Sequence, residues 1–275
     1  MALRELLENS PEARLRVQEM LANGEFAGEV LQTLADALGA TTSGWKEILA
    51  LMENGEVDPL RKLILTRSLG LVPRPGEEVV GLLSKLAQDE EDAFSALMAI
   101  RSLGLSAGLP NNLDLRDTLA EELAPLLGGP AERDIQVLNS LGNAGSPGTL
   151  PAILELAGSS NEDVRAAVAV AVRKIDDPKV DVLLAKLAGD PSPVVRLSAV
   201  GVLSEKGGGK SALLLKKIWM SDSDEGVRLE ALQYFADCPQ SDSFAVQVLS
   251  EASGNAPSPE VRAYAANALK NMATE

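Results

Sequence analysis

Four Val-Arg pairs recur in the C-terminal half of the chain, at Val164-Arg165, Val195-Arg196, Val227-Arg228 and Val261-Arg262, with the arginines 31, 32 and 34 residues apart. This spacing constrains the fold more than any other feature. A unit of that length cannot bury its own apolar face, so it must stack on neighbouring copies. The context of each pair repeats as well. Three residues after each arginine stand Val168, Ala199, Ala231 and Ala265, and seven after it stand Val172, Leu203, Phe235 and Leu269. Offsets of three and seven share one helical face. Helix-starting residues precede the pairs: Asn161-Glu162-Asp163, Asp190-Pro191-Ser192-Pro193, Asp222-Ser223-Asp224-Glu225 and Ser258-Pro259-Glu260. A second apolar-periodic stretch lies between successive pairs, as in Val180-Leu183-Leu184-Leu187, Leu213-Leu214-Ile218-Trp219 and Phe244-Val246-Val248-Leu249. The unit is helix–turn–helix.

The N-terminal half lacks the Val-Arg pair but keeps the rhythm. It predicts helix pairs over 58–70 and 75–88, 89–103 and 113–127, and 131–142 and 147–157. Asp58-Pro59 and Asp89 read as N-terminal caps, and Gly70, Gly104, Gly128-Gly129 and Gly142 as residues that follow helices. Residues 1–57 give further helices, broken at Asn23-Gly24 and Gly39-Ala40-Thr41-Thr42. No stretch alternates with period two for the length of a strand. The expected fold is all-α: a right-handed αα superhelix, a solenoid of antiparallel helix pairs. Residues 1–57 form degenerate or capping repeats, 58–158 degenerate pairs and 159–275 clear repeats, all one continuous solenoid.

Composition narrows the chemistry. The chain of 275 residues has no histidine and one cysteine, Cys238, which removes Ser-His-Asp triads, Cys-His dyads, HExxH zinc sites, intrachain disulfides and CxxC clusters. Forty acidic residues against 25 basic give a net charge of −15, which opposes the phosphate neutralisation that nucleic-acid binding requires. The longest apolar run, Ala166 to Val172, is seven residues, far short of the roughly 20 that span a bilayer. The charged N-terminus has no apolar signal region, so the chain reads as cytoplasmic; a fragment of an exported protein would read the same way.

Asp190-Pro191-Ser192-Pro193-Val194-Val195-Arg196, with Ala199 and Leu203, resembles the first-helix consensus of the HEAT-repeat family, as does Asp222 through Arg228 with Ala231 and Phe235. Ser159 and Ala256 stand in the other two units where Asp190 and Asp222 would be. The resemblance implies a scaffold with an Asp–Arg ladder between stacked repeats, formed by Arg165, Arg196, Arg228 and Arg262 with Asp190 and Asp222; Asp163 is a further acceptor to weigh. A partner is in any case needed, because the helix macrodipole disfavours a cation in the first turn. A bidentate carboxylate suits guanidinium and not ammonium. A looser likeness lies in Leu138-Asn139-Ser140-Leu141-Gly142-Asn143-Ala144-Gly145-Ser146-Pro147, which looks like the helical domain of vitellogenin-type large lipid-transfer proteins.

Other signals are weaker. Lys206-Gly207-Gly208-Gly209-Lys210-Ser211 resembles the end of a P-loop, but Ser204 stands where a glycine is required and the preceding segment reads as helix. Asp89-Glu90-Glu91-Asp92 reads as helix-start carboxylates rather than a metal site, and Cys238 as a structural thiol. Trp45 and Trp219 read as core. If second helices line the concave face, Lys179, Lys186, Lys216 and Lys217 face a partner; solvated lysines are the simpler account. The expected function is a non-catalytic scaffold or adaptor with no cofactor and no metal. It would hold a protein partner with a basic surface on the concave face. The alternatives are the helical domain of a larger lipid-handling assembly and an enzyme accessory such as a bilin lyase.

Overall fold

The computed structural model describes residues 2–23, 28–54, 57–89, 91–239 and 241–272. Gly24 of the expected Asn23-Gly24 break and Glu90 of the acidic run lie outside them. The described residues form seventeen α-helices joined by turns and short 3₁₀ segments, and contain no strand. Contacts divide the chain into two compact units, Met1–Ile153 and Leu154–Glu275.

The first unit contains α1 (Ala2–Asn9), α2 (Pro11–Asn23), α3 (Glu29–Gly39), α4 (Trp45–Asn54), α5 (Pro59–Leu69), α6 (Glu77–Ala87), α7 (Ala93–Gly108), α8 (Arg116–Leu123) and α9 (Ala131–Ala144). The division between units falls within α10 (Leu150–Glu155). Helices α3, α5, α7 and α9 pack side by side in one row, while α4, α6 and α8 form a second layer against it. Asp58 starts α5 by accepting the Arg61 N–H, with Pro59 in the first turn, and Asp92 starts α7 by accepting the Ser95 N–H. Asp92, not Asp89, therefore caps α7; Asp89 accepts the Glu91 and Asp92 N–H groups in the turn before it.

A Ser-Leu-Gly triplet sets the spacing of the row. It occurs at Ser68-Leu69-Gly70, Ser102-Leu103-Gly104 and Ser140-Leu141-Gly142. Each helix presents a glycine to the serine of the next, Gly39 to Ser68, Gly70 to Ser102 and Gly104 to Ser140. The serine hydroxyls bond back across the contact: Ser102 Oγ donates to the Thr66 carbonyl (2.9 Å) and Ser140 Oγ to the Ile100 carbonyl (3.1 Å). Gly104 and Gly142 consequently lie inside α7 and α9 and do not follow them. A mid-helix glycine costs about 1 kcal/mol against alanine, and here that cost lets two backbones approach.

The second unit contains α11 (Glu162–Ala171), α12 (Pro178–Leu187), α13 (Pro193–Lys206), α14 (Gly208–Ser221), α15 (Glu225–Ala236), α16 (Ser243–Asn255) and α17 (Pro259–Met272). The Val-Arg helices are α11, α13, α15 and α17, and they form its continuous row. Val164, Val195, Val227 and Val261 are all buried, as are Val168, Ala199, Ala231 and Ala265. Small residues at the third offset let the helices approach closely. Phe235, fully buried, packs edge-on against Tyr234 and Phe244, a burial worth about 2–3 kcal/mol.

The second helices α12, α14 and α16 do not form a comparable row among themselves. Gly207 (φ 62°) and Gly208 (φ 86°) make the turn from α13 into α14, a left-handed path that favours glycine. The P-loop-like segment is thus an inter-helix turn with no strand before it.

Candidate functional site

Each Val-Arg arginine folds back over its own helix start. Its Nη1 donates to two carbonyls five and six residues earlier: Arg165 to Ser159 (2.8 Å) and Ser160 (3.4 Å), Arg196 to Asp190 (3.0 Å) and Pro191 (3.1 Å). Arg228 does the same with Asp222 (2.8 Å) and Ser223 (3.3 Å), and Arg262 with Ala256 and Pro257. The carbonyls of the incoming turn thus offset the unfavourable dipole.

The other edge of the guanidinium differs along the row. Arg165 grips Asp190 with two bonds of 2.9 Å, and Arg196 grips Asp222 with two of 2.8 Å. Arg228 and Arg262 meet no aspartate of a following repeat among the described residues; Arg228 lies 3.5 Å from Glu225 of its own helix, and its Nε is buried without a partner. Asp163 sits exposed in the first turn of α11, and the acceptor that Arg165 takes is Asp190 instead.

The first unit holds counterparts that the Val-Arg pattern does not reveal. Arg14 donates to the Leu7 carbonyl (2.8 Å) and to Glu47 (3.2 Å), and Lys62 to Asp92 (2.7 Å). These pairs lack the flanking valine, so spacing alone hides them.

The paired carboxylates titrate low. Lys62 and the Ser95 N–H pull Asp92 down to about 2. Arg165 draws Asp190 below the usual carboxylate range against the opposing effect of burial. Burial pushes Asp222 up, but the Arg196 guanidinium and the Asp224 N–H together outweigh it and bring the carboxyl below its ordinary value. A carboxyl whose folded pKa lies below its unfolded value of about 3.9 stabilises the fold above that value and loses this contribution as pH falls through the folded pKa. Melting temperature should therefore hold steady near neutral pH and fall between about pH 4 and pH 2. Circular-dichroism melts across that range check this, and Asp92→Asn should flatten part of the decline.

The lysines singled out in the sequence separate. Lys179 and Lys186 on α12 and Lys217 on α14 are exposed on the second-helix layer. Lys216 instead turns inward, to Glu251 (2.9 Å) and over the Phe244 ring. Trp219 is buried, and the half-buried Trp45 donates Nε1–H to the Thr42 carbonyl. The Cys238 thiol is raised above its ordinary pKa by burial and by Asp242 and Asp237, and it contacts the Tyr234 carbonyl at 3.3 Å. A thiol held protonated in this way is a poor nucleophile.

An organised concavity lies in the first unit, on the α3–α5–α7–α9 row. It encloses about 730 Å³ and is lined by Gln32 of α3, Arg67 of α5, Arg101 of α7, and Gln136 and Asn139 of α9 among others, none of them acidic. Arg67 and Arg101 each precede a Ser-Leu-Gly triplet, and so does Asn139. The buried serine and glycine form the helix contact, and the residue before them emerges at the groove. Recurrence of Arg-Ser-Leu-Gly 34 residues apart is the signal in the sequence. Read as helix-end punctuation, it leads nowhere.

Comparison with known proteins agrees with this construction. The HEAT-repeat family profile matches residues 120–204 and 180–270, more than half of the chain. Among solved structures, the chain is similar to YibA of Escherichia coli, with 17% identity, 98% of this chain and 96% of that one covered, and a TM-score of 0.57. It also aligns with the CpcE–CpcF complex of phycocyanin lyase from Nostoc sp. PCC7120 (18% identity, 96% and 94% covered, TM-score 0.48). Human deoxyhypusine hydroxylase aligns at 15% identity, with 98% of each chain covered and a TM-score of 0.39. At such identities the likeness concerns the fold alone. No curated protein sequence matches the chain. With its registered Val-Arg helices and stacked antiparallel pairs, the chain belongs to the HEAT-repeat family.

Proposed function

We propose that the protein is a non-catalytic scaffold that holds a protein partner against the α3–α5–α7–α9 face. The groove carries this reading: it is a polar concavity of about 730 Å³ crossing four packed helices, with Arg101 and Leu105 exposed on it beside the buried Ser102 and Ser140. The chain has no histidine and its single thiol is raised above its ordinary pKa, so this reading calls on neither histidine nor thiolate chemistry. HEAT repeats commonly serve to hold other proteins, which supports the same reading. No helix among the described residues is long and apolar enough to cross a membrane.

Net charge shapes the encounter. A chain at −15 attracts a partner with a basic surface from a distance, and screening limits that pull to about 8 Å at physiological salt. Association should slow as ionic strength rises. The docking face is tested by steric block. Gln136→Trp or Leu105→Trp should abolish partner capture from native lysate, read by mass spectrometry, while Val182→Trp on exposed α12 leaves it intact. The opposite pattern would move the docking face to the lysine-bearing layer of the second unit.

A further inference from the structure

We infer that the groove takes an extended, acidic segment of the partner chain, with two carboxylates seated on Arg67 and Arg101. This rests on the scaffold reading and specifies its ligand. Asp36, Arg67, Arg101 and Asn139 each stand three residues before a glycine at the end of an equivalent turn, Gly39, Gly70, Gly104 and Gly142. They therefore occupy matching positions on four successive helices, one interaxial step of about 8–10 Å apart.

The two arginines differ in what holds them. Asp36 receives Gln32 Nε2 (2.8 Å) and Ser68 Oγ (2.9 Å) and lies 3.4 Å from Arg67, so Arg67 is positioned by a fixed carboxylate. Arg101 has no hydrogen-bond or ion-pair partner among the described residues and is exposed. In a chain with 40 acidic residues, this lining holds two guanidiniums and no carboxylate; Asp36 offsets Arg67, and Arg101 is left as a locally positive, uncommitted cation. Short-range contact follows that local field, because the remaining charge is screened beyond about 8 Å.

The amides fix the form of the ligand. Gln136 and Asn139 on α9 each carry both a donor and an acceptor, the pair of groups that an extended backbone leaves open at every residue. Three helix steps span about 25–30 Å, the length of eight or nine extended residues at about 3.3 Å each. Side chains on one face of such a segment repeat at about 7 Å. Two acids two residues apart then reach both guanidiniums, each able to take a carboxylate with two bonds.

The test uses the full chain and three fluorescein-labelled nine-residue peptides of Gly, Ser and Thr. Each carries two Glu, two Gln or two Lys residues two positions apart. Anisotropy should show the Glu peptide binding about tenfold or more tightly than the Gln peptide, with an advantage that salt erodes. Arg101→Glu should remove that preference without lowering the melting temperature, and Arg16→Glu, an equal charge change at an exposed site on α2, should leave it in place. Equal binding of the Glu and Gln peptides, tighter binding of the Lys peptide, or an Arg101→Glu protein that still prefers Glu would overturn the inference. If Gln136→Trp abolishes partner capture while no acidic peptide binds, only the acidic-segment inference fails. If partner capture survives Gln136→Trp, the scaffold reading of this face fails with it.

Discussion

Asp222→Ala should destabilise the protein by about 3 kcal/mol, seen as a lower urea midpoint at unchanged slope. Arg196 and Asp222 are mostly buried, with side-chain exposures of 11% and 7%, and are joined by two bonds of 2.8 Å. Removing one partner leaves the other charged and poorly solvated, and the loss of such a pair typically costs 3–5 kcal/mol. The low end applies here, because Arg196 keeps the Asp190 and Pro191 carbonyls. Arg196→Lys should cost less, since a lysine keeps the charge but cannot serve two carbonyls and a bidentate acid at once.

The complementary change should have the opposite sign. Ala256 closes α16 with φ −61° and ψ 138°, nearly the angles of Asp222 at the end of α14, −67° and 141°. Arg228 sits one repeat earlier with its Nε buried and unpartnered. Ala256→Asp should supply the missing acceptor and stabilise by about 1 kcal/mol. A neutral Asp222→Ala would show that the Arg–Asp pairs contribute nothing to stacking.

Gly104→Ala should cost about 2–3 kcal/mol despite replacing glycine in a helix. Helix propensity alone favours alanine by about 1 kcal/mol. A Cβ at position 104, however, would lie 2.3 Å from Ser140 Cβ and 2.5 Å from its Cα. Backbone cannot yield there without separating α7 from α9, the most extensive helix contact in the first unit, and overpacking of this kind outweighs propensity. Gly81→Ala on α6 is the control. Nothing lies within 4 Å of the added methyl, so it should raise stability by about 0.5–1 kcal/mol. Thermal and urea denaturation of the two variants give opposite signs if close approach is the purpose of Gly104. A stabilised Gly104→Ala protein would mean the row tolerates wider spacing.

Several elements were legible before the structure. The Val-Arg period placed α11, α13, α15 and α17, since a valine at the start of each helix must be buried and its arginine must find carbonyls nearby. Asp58-Pro59 marked the start of α5 because a side-chain acceptor and a proline suit the free N–H groups of a first turn. Asp89 misled, since four residues with acidic side chains compete for one cap and backbone geometry selected Asp92. Gly104 and Gly142 misled for another reason. A glycine late in a periodic segment reads as an ending, and nothing local distinguishes it from one that admits a neighbouring helix.

By itself the sequence determined the helix-pair repeat, the all-α class and the exclusion of histidine chemistry, because these follow from spacing and residue type. Tertiary packing decided which helices form the continuous row, which arginines find carboxylates and which one, Arg101, is left uncommitted in the groove. The physical reason is distance. Periodicity acts along one helix, whereas the Arg196–Asp222 pair, the Gly104–Ser140 contact and the Arg67–Arg101 groove join residues 26 to 36 apart in sequence. Such pairs meet only once the stack has fixed its register. The net charge of −15 is the clearest case: a sum over the chain describes a partner approaching from afar, whereas contact in the groove is governed by the few charges placed there, Arg67 with Asp36 and the uncommitted Arg101.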